Sequence, residues 1–289
     1  MLKEPTGGIM ESARQPGFTG YVEFAKSFQP RPQITHVVFD FDGTLSLIRE
    51  GWPEIMLAMF VEMLPARADD DPAQVSRMLF DDMMKLNGKQ TIYQMMQFAE
   101  RVKERCGTPQ EPLWYKHEYL RRLEGKIQDR IESLRARRGA PEKYLLHGSI
   151  ELLTLLAKRG ANLHLASGTD EIFVKREAEL LGVTKFFGDR IYGAKDDYKS
   201  FSKKMVIERI LRENSIRGEN LLAFGDGYVE IENTKEVGGL AVAVASDEAN
   251  NGSGTIDEWK RNRLLAVGAD IVIPDYRDAA PLLNRIFSN

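Results

Sequence analysis

The run Val37-Val38-Phe39 ends abruptly in Asp40-Phe41-Asp42-Gly43-Thr44, and this junction constrains the fold more than any other stretch. A short, continuous β-branched and aromatic run reads as a strand buried on both faces, as in a parallel sheet. Two carboxylates then emerge at its C-terminal end, in the crevice where open α/β sheets place their ligands. Gly43 lets the chain turn away sharply after them. Acids one residue apart suit a hard cation beside a nucleophile or proton carrier. The plainer alternative is an Asp-rich turn closing a strand, since Asp and Gly are turn formers.

The rest of the chain decides between these readings. Residues 1–32 read as a polar arm with one short helix near Val22–Phe28. From Trp52 to about Leu146 the apolar residues fall at three-and-four spacing with no strand signal, which predicts helices. The expected spans are Glu54–Leu64 after Pro53, Asp71-Pro72 through Leu86, Thr91 to about Arg105, and Leu113–Arg138. Asn87-Gly88 is the stop between the second and third. Strand–helix alternation resumes at Ser149. Strands are expected at Asn162–Ala166, Arg190–Tyr192, Asn220–Phe224, Leu240–Ala245 and Asp270–Ile273. Helices are expected at Ile150–Arg159, Asp170–Leu181, Ser202 to about Glu213, Val229–Val237 and around Ile256–Ala266. Units of this length imply parallel pairing with right-handed crossovers. The fold class is therefore α/β, a doubly wound parallel sheet over 33–47 and 148–289, interrupted by an all-helical cap over 48–147.

Further stretches carry chemistry where strands stop. Leu163–Ala166 delivers Ser167 and Gly168, a hydroxyl and a free backbone N–H ahead of an expected helix N-terminus, which suits a phosphate oxygen. Turn formation and helix capping by Ser167, Thr169 and Asp170 would explain the same residues without a ligand. Leu221–Phe224 leads into Gly225-Asp226-Gly227-Tyr228-Val229-Glu230, and Lys195, Lys199, Lys203 and Lys204 lie between the two stretches.

Asp-Phe-Asp-Gly-Thr-Leu after an apolar strand resembles motif I of the haloacid dehalogenase superfamily, whose members are mostly Mg²⁺-dependent phosphatases. There a second Asp marks the phosphate-transferring members, so Asp42 counsels against dehalogenation. Ser167 resembles the motif II hydroxyl. Alignment on Val206-Ile207-Glu208-Arg209-Ile210 favours Lys203 as the motif III lysine, with Lys204 and Lys199 as the other choices. Asp226 and Glu230 resemble motif IV, with Glu230 in place of the commoner Asp. The resemblance covers 34–46 and about 148–275, and the helical insert matches in position and helical character.

The resemblance implies a phosphatase that hydrolyses a small phosphomonoester, a sugar phosphate or similar metabolite. Asp40 would be the nucleophile that forms an aspartyl phosphate, and Asp42 the acid and base. Ser167, Gly168 and Lys203 would bind phosphate. Asp40, Asp42 through its backbone carbonyl, Asp226 and Glu230 would hold Mg²⁺. Arg49 and Lys89 are the candidates for reading the leaving group. A phosphomutase of the same superfamily, or a catalytically silent regulatory protein on this fold, are the alternatives, and the motifs do not separate phosphatase from mutase.

Composition sets the outer bounds. At 289 residues the chain suffices for two domains or one large one. A net charge of −3 supplies no basic footprint for nucleic acid. The lone Cys106 precludes an intramolecular disulfide and fits a reducing compartment. No stretch reaches the ~20 apolar residues of a membrane span, and the first thirty residues do not read as a signal peptide. A cytoplasmic protein with a small-molecule partner is expected. Oligomeric state is not legible.

Overall fold

The computed structural model describes residues 15–136 and 140–288; the first fourteen residues of the expected arm lie outside them. The strands are β1 (Glu23–Phe24), β2 (His36–Phe39), β3 (Asn162–Asp170), β4 (Ile191–Ala194), β5 (Leu221–Gly225), β6 (Leu240–Val244) and β7 (Ile271–Ile273). They form one seven-stranded sheet in the order β1-β7-β6-β5-β2-β3-β4. Every pairing is parallel except β1 with β7. The chain leaves β2 toward β3 and β4, then returns to β5 on its other side and continues to β6 and β7. The order therefore reverses at β2, and the crevice beyond its carboxyl end is the topological switch point. Each residue of β2 is buried, and Phe39 stacks on Phe224 of β5 with ring centroids 4.9 Å apart. That is the two-sided burial its apolar run anticipates.

Between β2 and the rest of the sheet come four helices: α1 (Trp52–Met63), α2 (Pro72–Lys85), α3 (Thr91–Glu104) and α4 (Pro112–Arg135). Their starts follow local rules. α1 has Pro in its first turn after Gly51 in a left-handed conformation (φ 87°), and the Asp71 side chain caps α2 by accepting from Ala73 N at 2.9 Å. Their inner faces meet through Phe60 stacked on Phe98 at 4.1 Å and Phe98 edge-on to Tyr115 at 5.0 Å. The remaining helices α5 (Ser149–Lys158), α6 (Glu171–Leu180), α7 (Thr184–Phe187), α8 (Lys203–Glu213), α9 (Tyr228–Glu236) and α10 (Glu258–Ala266) lie between strands, and α11 (Ala279–Ile286) follows β7.

Three expectations change. The short helix near Val22–Phe28 is absent: Glu23–Phe24 is a strand whose residues pair with Val272 and Ile271, a partner distant in sequence. Strand β3 runs on past Ala166 to Asp170, because the chain bulges and Asp170 re-pairs with Ala194 of β4. The fourth strand lies at Ile191–Ala194 rather than Arg190–Tyr192. Among the described residues, no helix is long and apolar enough to cross a membrane.

Candidate active site

Asp40 is fixed first by its backbone, whose N–H donates to Phe224 O at 2.9 Å. Its Oδ1 accepts from Phe41 N at 2.8 Å, and its Oδ2 lies 2.8 Å from Lys203 Nζ. Lys203 opens α8, whose start is capped by Ser202 Oγ accepting from Met205 N. The same ammonium lies 2.8 Å from Glu230 Oε2, while Glu230 Oε1 accepts from Gly227 N at 2.6 Å at the start of α9. All three side chains are buried. Burial holds the Asp40 pKa well above the usual carboxylate range; Lys203 opposes the rise, and Glu230 and Asp226 add to it. Burial by itself would lower the Lys203 pKa, but the two carboxylates outweigh it and raise it.

Asp42 lies across the cavity. Gly43 turns the chain with φ 71°, and a Cβ at that position would fall 2.3 Å from Asp226 Oδ2, so only glycine allows this approach. Asp42 Oδ2 accepts from Thr169 Oγ1 at 2.8 Å and from Ser167 Oγ at 3.3 Å. Its Oδ1 has no hydrogen-bond partner and lies 3.9 Å from Arg49 Nε. Burial lifts the Asp42 pKa to about 6; Arg49 restrains the rise and Glu177 adds to it. Ser167 sits inside β3 rather than at a helix N-terminus, which corrects the expected cradle: α6 begins only at Glu171. Ser167 Oγ instead accepts from Thr169 N at 3.0 Å. Gly168 packs against the loop between α2 and α3, where a Cβ would meet Lys89 O at 2.8 Å.

Asp226 completes the third side. Its N–H donates to Thr44 Oγ1 at 3.0 Å, and its Oδ2 lies 3.0 Å from Lys260 Nζ. Lys260, buried on α10, also reaches Glu248 Oε1 at 2.6 Å and Ser246 Oγ at 3.3 Å. Asp40, Asp226 and Glu230 each offer an oxygen within 4.8 Å of the others. An all-oxygen donor set suits a hard cation. The raised pKa of Asp40, produced by burial and by its like-charged neighbours, is a strain that such a cation relieves.

A family model described as haloacid dehalogenase-like hydrolase matches residues 34–238. The chain belongs to this family. Solved structures share the fold of this hydrolase. One is a haloacid dehalogenase-like family hydrolase from Streptococcus pneumoniae, 19% identical, covering 87% of this chain and 97% of its own with a TM-score of 0.55. Another is a predicted phosphatase from Clostridium acetobutylicum, 18% identical, covering 87% and 99% with a TM-score of 0.56. A third is a predicted phosphoglycolate phosphatase from Haemophilus somnus 129PT, 14% identical, covering 86% and 98% with a TM-score of 0.56. Comparison with curated proteins finds no match.

In this haloacid dehalogenase-like hydrolase the three lysine choices separate cleanly. Lys204 pairs with Glu236 at 2.7 Å on the surface, and Lys199 lies over the Tyr198 ring at 5.8 Å. Lys203 is the ammonium at Asp40. Arg49 is not the free cation expected for a leaving group. It is buried, bidentate to Glu177 at 3.0 and 2.7 Å, and 3.6 Å from Glu124. Lys89 is exposed, with its ammonium 5.6 Å from the Tyr93 ring centroid. Glu230 has both oxygens engaged by the protein, so it serves Lys203 and the start of α9 before any metal. Sequence reasoning missed Thr44, Thr169, Glu177, Glu248 and Lys260. Thr44 and Thr169 adjoin named motifs and were findable as extra hydroxyls. The two glutamates and Lys260 carry no local signal.

Proposed function

We propose that this hydrolase is a Mg²⁺-dependent phosphatase acting on small phosphomonoesters through an aspartyl phosphate on Asp40. The observation that carries the reading is the contrast between two carboxylates at one cavity. Asp40 is pinned by an ammonium at 2.8 Å, whereas Asp42 accepts from the hydroxyls of Thr169 and Ser167 at 2.8 and 3.3 Å. An ammonium partner favours the carboxylate form that a nucleophile needs, whereas hydroxyl partners can serve either form, as proton transfer requires.

An Asp40 carboxylate oxygen attacks phosphorus, and the bond from phosphorus to the ester oxygen breaks. Asp42, in its protonated form, gives its proton to the departing oxygen, which leaves as an alcohol. A water then attacks the phosphorus of the aspartyl phosphate and gives its proton to Asp42. Phosphate departs, and both carboxyl groups return to their starting states. Lys203 offsets charge on Asp40 and on the phosphoryl oxygens, and the Ser167 and Thr169 hydroxyls keep Asp42 oriented. Mg²⁺, held by Asp40, Asp226 and the Asp42 backbone carbonyl with Glu230 adjacent, would supply neutralisation of the phosphoryl oxygens. The helices α1–α4 act in this reading as a cap that excludes bulk water.

Asp40→Asn tests the proposal, because the amide keeps the shape and is a poor nucleophile. Phosphate release from a panel of phosphomonoesters should fall at least about 1000-fold, on the scale of other essential catalytic groups, with the fold retained by circular dichroism. Turnover persisting in the folded variant excludes the aspartyl-phosphate route.

A further inference from the structure

Lys260 takes no part in the steps above, yet it is the second ammonium at the site. A lysine on a helix is by default a solvated charge, but this residue is only 7% exposed. Its base is fixed locally. Asp257 caps α10, its carboxylate accepting from Lys260 N at 2.9 Å. Arg261 is bidentate to Glu23 of β1 at 2.6 and 3.0 Å, and Arg263 donates to Lys85 O at the end of α2 at 2.8 Å. The helix is thus tied both to the sheet edge and to the cap.

The tip of the side chain reaches both segments that would hold a cation. Its ammonium lies 3.0 Å from Asp226 Oδ2 and 2.6 Å from Glu248 Oε1. It also donates to Ser246 Oγ at 3.3 Å, and that hydroxyl donates to Gly43 O at 3.0 Å, one residue beyond Asp42. Asp226 and Glu248 line the cavity, whereas Lys260 is not among the residues lining it. The ammonium therefore acts on the acids and not on a substrate. Burial by itself would lower the Lys260 pKa, but Asp226 and Glu248 outweigh it and raise it, so the group stays charged.

The consequence is electrostatic. The charge count of its ligands tunes how tightly an oxygen site holds a divalent ion. An ion on Asp226 is separated from the Lys260 ammonium by a single carboxylate group, and like charges so close repel. Without the ion, the same ammonium offsets two acids that would otherwise lie together unpaired. Glu248 has the opposite influence, because it shares the ammonium with Asp226 and adds a negative charge beside it.

We propose that Lys260 is a built-in counter-cation that weakens the hold of the site on its divalent ion, so that the ion exchanges with solution, and that Glu248 offsets it. The inference rests on the Mg²⁺-dependent reading and concerns the same site. Its test is Mn²⁺ binding in the absence of substrate, followed by electron paramagnetic resonance of the free ion, with Mg²⁺ as competitor. Lys260→Met should lower the Kd about 5-fold or more, the scale Coulomb's law gives for charges ~7 Å apart in water, and Glu248→Gln should raise it by a similar factor. The melting temperature of Lys260→Met in EDTA should fall below that of wild type and recover on adding Mn²⁺. Replacing a residue with only a structural role weakens binding, so the sign of the change decides. Should the single variant fail to fold, Lys260→Met combined with Glu248→Gln, compared with Glu248→Gln alone, reads the same step with one stranded acid fewer. Unchanged or weaker binding on loss of Lys260, in whichever background folds, overturns the inference and leaves the phosphatase reading standing, as does tighter binding in Glu248→Gln. Wild type that binds neither Mn²⁺ nor Mg²⁺ overturns the inference and the metal-dependent reading together.

Discussion

Replacing Asp42 with Asn is expected to stabilise the metal-free protein at neutral pH. Burial, against the pull of Arg49 and with the push of Glu177, raises the Asp42 pKa from 3.8 to about 6. Between those values the folded state keeps a proton that the unfolded chain releases. Stability therefore declines as pH rises through that window and stays lower above it. A rise of about two pH units at ~1.4 kcal/mol each sets an upper bound of about 3 kcal/mol. The carboxylate is 24% exposed, so solvent screening brings the expected cost to about 2 kcal/mol. The amide has the same shape: its oxygen keeps the bond from Thr169, and its NH₂ takes the place of the unpartnered Oδ1. Urea denaturation of both proteins in EDTA, from about pH 4 to pH 8, reads the difference directly. The gain from Asp42→Asn should grow from near zero at pH 4 to about 2 kcal/mol at pH 7. A difference that does not vary with pH, or a variant less stable at pH 7, refutes the assignment of a raised pKa to burial.

Two other perturbations probe the scaffold. Arg263 on α10 bonds the backbone carbonyls of Met84, Lys85 and Asn87, and its guanidinium lies 4.7 Å from the Tyr228 ring centroid and 5.0 Å from that of Trp259. Arg263→Ala should speed amide exchange in residues 84–90 by about 10-fold or more, the scale of a lost charged hydrogen bond; unchanged exchange there means the contact does not hold the α2 end to the core. Burial lowers the His164 pKa from 6.5 to about 3, with His36 stacked beside it at 5.6 Å. The unfolded chain binds a proton between those values that the folded state refuses, so stability falls as pH drops below about 6.5. His164→Phe should shrink the loss of melting temperature between pH 8 and pH 5, and an equal loss in both proteins would place the acid sensitivity elsewhere.

The parts of the fold that were legible are those whose cause is local. A buried parallel strand announces itself by an unbroken apolar run, and the reversal at its end by Asp-Gly, so the positions of Asp40, Asp42 and Asp226 at strand ends could be read within a few residues each. Lys203 was legible only through the family resemblance, by alignment on Val206-Ile207-Glu208-Arg209-Ile210; in the structure Val206, Ile207 and Ile210 of α8 are buried, and so is Lys203. What stayed hidden depends on partners far along the chain. Glu177 lies 128 residues from Arg49, and on its own helix it reads as one more solvated acid. Only the packing of α6 beneath the site buries it and turns Arg49 from an expected substrate contact into an internal counter-ion. Tyr119 reads as filler in the long charged helix α4, and nothing nearby signals that it lines the cavity beside Asp42. Lys260 belongs to a helix beyond β6 with no motif of its own, yet it holds the outer oxygen of Asp226. Its presence changes the charge balance of the site. Asp40, Glu230, Asp226 and Glu248 meet Lys203 and Lys260 in contacts of 3.0 Å or less, leaving two negative charges in excess when all four acids are ionised. Burial without compensation is unfavourable for each of them, and that excess is the charge one divalent cation would balance. The motif acids thus mark where chemistry can occur, while distant lysines that no motif marks set how much positive charge the site still requires.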